Sequence, residues 1–365
     1  MTNKKRISPF CVELYIVCGF FYCTYKECII VNIRERLEQR EHEILSPYAG
    51  FSDMSRGREH YEVPCDIRTE YQRDRDRIIH CKAFRRLKQK TQVFLAPVGD
   101  HYRTRLTHTL EVSQNARTIA KALRLNEDLT EAIALGHDLG HTPYGHCGER
   151  VLNKLCPDGF SHDMQSVRLT KFLEKNGKGL NLTYEVNDGI LNHQTKGNPH
   201  TLEGKIVRFS DKIAYINSDI DDAIRAQILK EDDIPSEYTE VLGHNLNQRL
   251  NILIHDVILT SEGKNDICMS EEKYRALMGL RSFMYENVYY NPIAKGEEKK
   301  AAIVIEQLFN YFCDHVDEMP EEFLNIIDMG EKKERAVADY IACMSDRYAT
   351  NLFTQLTIPK TWSIL

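Results

Sequence analysis

Residues 126–155 read NEDLTEAIALGHDLGHTPYGHCGERVLNKL, a helical pattern interrupted inside a cluster of imidazoles. Asn126 is placed to cap a helix, with Glu127 and Asp128 in a first turn that favours acids. Leu129, Ile133 and His137 then recur four apart, so they share one face. Gly140 and Pro143 stop that helix, and a second is expected to run from His146 through Glu149 to Leu155. Three of the chain's 14 histidines, His137, His141 and His146, fall within ten positions around this break. Imidazoles titrate near neutrality and bind metals, and Asp138 and Glu149 supply carboxylates that complete metal sites or orient rings.

The rest of the chain from residue 31 is also dominated by helical periodicity, so the fold is expected to be all-α with at most a minor hairpin. Residues 68–90 read as one helix carrying nine basic and three acidic side chains. Residues 91–105, with Pro97, Gly99 and Asp100, read as a loop or short hairpin. A helix from about Thr107 to Leu123 is expected to bury Leu110, Ala116, Ile119, Ala120 and Leu123, and a longer one to span Leu202–Leu229. IPSEYTEV, residues 234–241, gives no assignable pattern. With 365 residues and a net charge of −6, the chain can bury a large core and is not a strongly basic nucleic-acid binder overall.

The first 30 residues differ from the rest: a basic start, then an aromatic run with four of the 11 cysteines. Glu13, Lys26 and Glu27 leave too short an apolar core to span a bilayer, so no membrane is expected as a partner. We read residues 1–30 as an atypical leader, explicable by start-site choice near Val31. Residues 31–365 read as a single domain with a helical C-terminal extension. The seven scattered cysteines of residues 65–343 suit reduced thiols and a cytoplasmic location.

HDxxH is close to the HExxH pattern of zinc proteases, but there both histidines ride one unbroken helix with Glu as the base. Here Asp replaces the Glu and the helix breaks at the second histidine. A different set of ligands comes from three segments: His108 in RTRLTHTLEV, His137 and Asp138 in the opening stretch, and Asp211 in RFSDKIAYINSDIDDAI. In the last, Asp211, Tyr215 and Asp219 form a polar stripe at four-residue spacing, with Lys212 beside it. Such a stripe suits either a solvated face or the wall of a polar pocket.

Together FRRLKQKTQVF, HYRTRLTHTLEV, HDLGHTPYGHCGE, LEGKIVRFSDKIAYINSDIDDAI and DYIACMSDRYA resemble the HD-domain metal phosphohydrolases, and more narrowly their deoxyguanosine triphosphate triphosphohydrolase branch. The resemblance implies an HD-domain helical fold. It also implies hydrolysis of a deoxynucleoside triphosphate to deoxynucleoside and inorganic triphosphate. By motif position, His108, His137, Asp138 and Asp211 would hold a divalent ion (manganese, magnesium, iron, nickel or zinc). His146 and Glu149 match the catalytic pair, and His141 and His162 match catalytic-site positions. Arg105 and Lys212 match phosphate contacts, Gln92 and Asp219 contacts to the sugar 3′-hydroxyl, and Tyr215 a pocket tyrosine. Arg281 matches a further phosphate contact and Tyr289 a ring against the sugar's 2′ carbon.

The resemblance further suggests a homo-oligomer and leaves open an allosteric deoxynucleotide. Two other readings stay open. One is an HD phosphohydrolase acting on monophosphates, alarmones or cyclic dinucleotides. The other is a nucleotide-sensing or single-stranded nucleic-acid-binding protein, motivated by the basic 68–90 segment.

Overall fold

A computed structural model describes residues 32–93 and 101–359, together with the backbone of residues 13–17 and 20–24; residues 292–295 are likewise described by backbone alone. Most of the leader, and the centre of the 91–105 segment with Pro97, Gly99 and Asp100, lie outside the described residues. Within the leader, β1 (Glu13–Val17) pairs antiparallel with β2 (Phe20–Thr24). The rest of the described chain is helical, in agreement with the periodicity.

In chain order come α1 (Ile33–Ile44), α2 (Glu70–His80), α3 (Lys82–Arg86), α4 (Arg105–Ala122), α5 (Glu127–Gly136), α6 (His146–Leu155), α7 (His162–Arg168) and the short α8 (Glu174–Gly177). They are followed by α9 (Tyr184–Leu191), α10 (Leu202–Arg225), α11 (Ser236–Leu242), α12 (Leu246–Ser261), α13 (Glu271–Met284), α14 (Pro292–Asp314), α15 (Glu321–Asp328), α16 (Lys333–Ala342) and α17 (Asp346–Thr357).

The caps explain the boundaries nearest the site. Asn126 accepts the Leu129 amide at 3.1 Å and starts α5 where the sequence placed it. Thr201 does the same for α10 through Gly204. The helix break between α5 and α6 is built from Tyr144 at φ 59° and Gly145 at φ 55°. Gly140 lets this turn lie directly on α7: a Cβ there would sit 2.2 Å from the Ser166 amide nitrogen and 2.4 Å from the His162 carbonyl oxygen.

Helix α5 lies against α2, α4 and α9, and α10 runs along α4, α9 and α12. Their shared core holds Ile119, Ile133, Val186, Ile190, Ile206, Ile213 and Ile220, all fully buried. Each such side chain contributes on the order of 2 kcal/mol. This packing fixes the three helices that carry the H, HD and D segments.

Four expectations needed correction. Residues 68–90 are not one helix: Cys81 in extended backbone divides α2 from α3, its Sγ capping the Phe84 amide. Leu110 is 51% exposed, because its position on α4 faces away from α5 and α10. Helix α10 ends at Arg225 rather than Leu229. The unassigned 234–241 stretch contains most of α11. The seven described cysteines are all free thiols. Among the described residues no helix is long and apolar enough to cross a membrane.

Candidate metal and proton-transfer site

Helices α4, α5 and α10 bring together side chains that are distant in sequence. His108 Nε2 lies 3.1 Å from Asp211 Oδ1 and 3.9 Å from Asp138 Oδ2. His137 Nε2 lies 3.4 Å from Asp138 Oδ1 and 3.8 Å from Asp211 Oδ1. The tautomer of His137 follows from its other nitrogen. Nδ1 sits 2.7 Å from the Ala134 carbonyl, which can only accept, so Nδ1 carries the proton and Nε2 the lone pair. That Nε2 is buried without a hydrogen-bond partner and faces two carboxylates. A buried unpaired nitrogen costs free energy unless a cation uses it, so the His108, His137, Asp138 and Asp211 set fits a divalent ion.

The electrostatics agree. Burial opposes the charge of Asp138, yet His137, His141 and Arg105 hold it well below the usual carboxylate range. Asp211 meets the same opposition from burial, and its His108 bond with the nearby imidazoles brings it down to about 2. Both therefore stay anionic at neutral pH. Arg105 Nη1 donates to Asp138 Oδ2 at 2.8 Å, which ties this predicted phosphate contact to the metal-facing carboxylate.

Beyond the helix break lies a second group. His146 is exposed, and its Nδ1 sits 2.9 Å from Glu149 Oε2. The other oxygen of Glu149 takes the His162 backbone N–H and lies 2.9 Å from His162 Nδ1. Glu149 thus orients two imidazoles at once. Burial disfavours its charge, but the bonds from His146 and His162 hold it far below the ordinary range. His141 stacks on His162 with ring centroids 3.9 Å apart, and its Nε2 is 3.2 Å from Asp138 Oδ1. Burial, Arg105 and His162 together keep its pKa well below the usual imidazole value.

The wall along α10 carries the remaining predicted residues. Lys212 is buried; burial and Arg208 lower its pKa. Tyr215 accepts a hydrogen bond from Arg281 at 2.7 Å. One turn further on, Tyr289 donates its hydroxyl hydrogen to Asp219 Oδ2. Tyr289 ends a π-helical turn, Tyr285–Tyr289, that continues α13 and swings this ring towards α10. Asp219 Oδ1 and Gln92 Oε1 are both buried without a partner, and burial pushes Asp219 up to about 7.

Sequence reasoning assigned no role to three residues that shape this region. His193, at the end of α9, points Nε2 at His162 Nε2 across 3.3 Å. Nothing in ILNHQT distinguishes it from a structural histidine. Lys90, fully enclosed, donates to the carbonyls of His141 and Ala342. Asp346 binds both Thr91 and Tyr144. The last two lie in motifs quoted above, but only the fold shows that they connect the C-terminal helices to the turn.

Comparison with known proteins agrees with this arrangement. An HD domain model matches residues 105–216, and a phosphohydrolase-associated domain model matches residues 267–355. A deoxyguanosinetriphosphate triphosphohydrolase-like protein of Caldanaerobacter subterraneus subsp. tengcongensis is 59% identical over 332 residues, covering 91% of this chain and 98% of the relative. One from Clostridium perfringens (strain SM101 / Type A) is 52% identical over 339 residues, covering 90% and 99%. A solved phosphohydrolase from Bacteroides thetaiotaomicron VPI-5482 shares the fold, with a TM-score of 0.50 at 16% identity over 78% of this chain and 68% of that one. The H, HD and D segments that α4, α5 and α10 bring together therefore sit in an HD phosphohydrolase, and the chain belongs to the deoxyguanosinetriphosphate triphosphohydrolase-like family.

Proposed function

We propose that this hydrolase removes inorganic triphosphate from deoxynucleoside triphosphates, dGTP or others, in a metal-dependent reaction. The observation that supports it best is the adjacency of two unlike groups. One is the cation-fitting set His108, His137, Asp138 and Asp211; the other is the His146–Glu149 pair just past the helix break. A divalent ion held by that set would neutralise charge on the α-phosphate and lower the pKa of water.

The chain's own residues do the rest. Arg105, fixed by Asp138 and by the Thr91 carbonyl at 3.1 Å, presents a forked cation to phosphate oxygens. Lys212 and Arg281 add charge along the same wall, with Tyr215 holding Arg281. Glu149 aligns His146, which moves one proton in either of two ways. It acts as acid on the departing 5′-oxygen or as base on the attacking water, while the bond from Pα to the 5′-oxygen breaks. His141 and His162 flank this pair; their charge and stacking shape the proton-transfer end of the site.

The basic α2 segment supports nucleic-acid binding less well than its composition suggests. Arg68, Arg73, Arg75 and Arg77 are ion-paired with Asp76, Glu62, Glu70, Asp128 and Glu131, and a polyanion would have to displace those partners. The same reading includes a cytoplasmic homo-oligomer and an allosteric deoxynucleotide. The test is to incubate metal-loaded protein with each of the four deoxynucleoside triphosphates, singly and mixed, and with matched monophosphates and cyclic dinucleotides. Release of deoxynucleoside with intact triphosphate is expected. Stepwise phosphate release, or turnover of only the other substrates, would defeat the proposal.

A further inference from the structure

Five buried imidazoles, His108, His137, His141, His162 and His193, crowd around Asp138 and Asp211, more than one cation can use. His108 and His137 face Asp211 and belong to the cation set already described. His162 and His193 instead face each other, Nε2 to Nε2, at 3.3 Å. Their outer nitrogens are both committed. His193 Nδ1 donates to the Ile190 carbonyl at 2.7 Å, and His162 Nδ1 meets the Glu149 carboxylate at 2.9 Å. Two neutral rings pinned this way aim lone pairs at one another, which is unfavourable unless a proton or a cation lies between them. The Gln194 side-chain nitrogen, 3.3 Å from His162 Nε2, supplies a donor to one ring only.

The separation discriminates between proton and cation. A good N–H hydrogen bond closes to about 2.9–3.0 Å. Two imidazole nitrogens on one tetrahedral ion, with bonds of about 2.0–2.1 Å, stand roughly 3.3–3.4 Å apart. The observed 3.3 Å matches the second case. An anionic ligand is also at hand, since an Asp138 carboxylate oxygen lies within 4.8 Å of the ligating nitrogens of both rings.

We propose that Asp138, His162 and His193 form a second divalent-cation site, adjoining the one made by His108, His137, Asp138 and Asp211 and sharing Asp138 with it. The nitrogen-rich donor set selects a transition-metal ion such as manganese, iron or zinc over calcium. The inference rests on the metal reading given under the proposed function, which its test can separate from it.

The test uses the full chain, stripped with chelator and reloaded with manganese(II), read by metal analysis and electron paramagnetic resonance. Two ions per chain are expected, with spectra broadened by exchange coupling through the shared carboxylate. His193→Ala, and His193→Gln as a milder variant checked by circular dichroism, should each leave one ion and an uncoupled signal. Asp211→Ala should also leave one ion, at the other position. One ion in the wild type, retained in both His193 variants and lost in Asp211→Ala, would overturn the second site while leaving the proposed reaction standing. Two ions without coupling would overturn the shared-Asp138 arrangement. No ion in any form of the protein would overturn both.

Discussion

Asp346, the first residue of α17, accepts the backbone N–H of Tyr144 at 2.9 Å. Its other oxygen takes the Thr91 amide, also at 2.9 Å, and the Thr91 hydroxyl. One carboxylate near the C-terminus thereby holds the left-handed residue that leads into α6 and the segment whose carbonyl anchors Arg105. Hydrogen bonds to a charged group contribute about 1.5–3 kcal/mol each. Asp346→Ala is expected to lower unfolding stability by roughly 3 kcal/mol in urea titrations and to reduce kcat. An unchanged urea midpoint with normal kcat would show that the clasp holds nothing.

Removal of the cation gives the second prediction. A ligand that binds only the folded chain at a hundred times its Kd stabilises it by about 2.7 kcal/mol. Chelator should therefore lower the Tm of the wild type. Asp211→Ala, which deletes the oxygen nearest His108, should begin at a lower Tm, respond less to chelator and lack triphosphate release. A chelator response equal to that of the wild type would remove Asp211 from the ligand set.

His146 separates binding from turnover. It is exposed, touches Glu149 and makes no contact with Asp138 or Asp211. His146→Ala should keep metal and nucleotide binding, measured calorimetrically, and lose about 10²–10⁴-fold in kcat. Glu149→Gln should show part of the same loss, because a neutral amide orients the ring without stabilising its charge. A variant that turns over normally would place the proton transfer elsewhere.

The elements nearest the chemistry were legible because local rules coincide there. Asn126 caps, Leu129, Ile133 and His137 share a face, and Gly140 with Pro143 forces the break. The HD and D groups could be paired through motif order, which carries information about distant contacts that periodicity lacks. His193 was not legible: its importance lies in facing His162 across 31 positions. The split between α2 and α3 was hidden for a related reason. Cys81 breaks the helix with its own thiol cap, while Glu174 receives the Ala83 amide from a segment 91 residues away. Leu110 was misplaced because helical spacing defines an apolar stripe without saying where its edge meets solvent.

Asp219 predicts a pH dependence. Burial pushes its carboxyl up to about 7, whereas in the unfolded chain it titrates near 3.9. Between those values the folded state holds a proton that the unfolded state has released. The contribution of Asp219 to stability therefore declines as pH rises from about 4 to about 7, and is fully lost above that window. Asp219→Asn, which never ionises, should flatten this decline. The check is urea unfolding of both proteins at pH 4.5, 6 and 7.5; parallel curves would mean that Asp219 titrates normally.

The sugar pocket gives the last prediction. Tyr289 reaches Asp219 from the π-helical turn after α13, and its ring closes the wall of α10 where Asp219 Oδ1 and Gln92 Oε1 remain unpaired. Under the proposed function those two oxygens serve the 3′-hydroxyl and the ring lies against the 2′ carbon. A site built around a hydroxyl loses heavily when that hydroxyl is missing, because its buried acceptors then stay unsatisfied. A ring at the 2′ carbon acts differently, excluding an added hydroxyl by contact. Deoxynucleoside triphosphates should thus be preferred over ribonucleoside triphosphates, and dideoxy analogues turned over poorly. Tyr289→Ala should reduce the deoxy-over-ribo preference by roughly 10–100-fold in kcat/KM, the range that steric pockets supply. Tyr289→Phe keeps the ring and should keep the preference, while Asp219→Ala should mainly erase the advantage of the 3′-hydroxyl. These three variants, assayed with matched deoxy, ribo and dideoxy substrates, separate contact at the 2′ position from recognition at the 3′ position. Equal kcat/KM for deoxy and ribo substrates in the wild type would dismiss the sugar pocket and leave a phosphohydrolase that reads only phosphate.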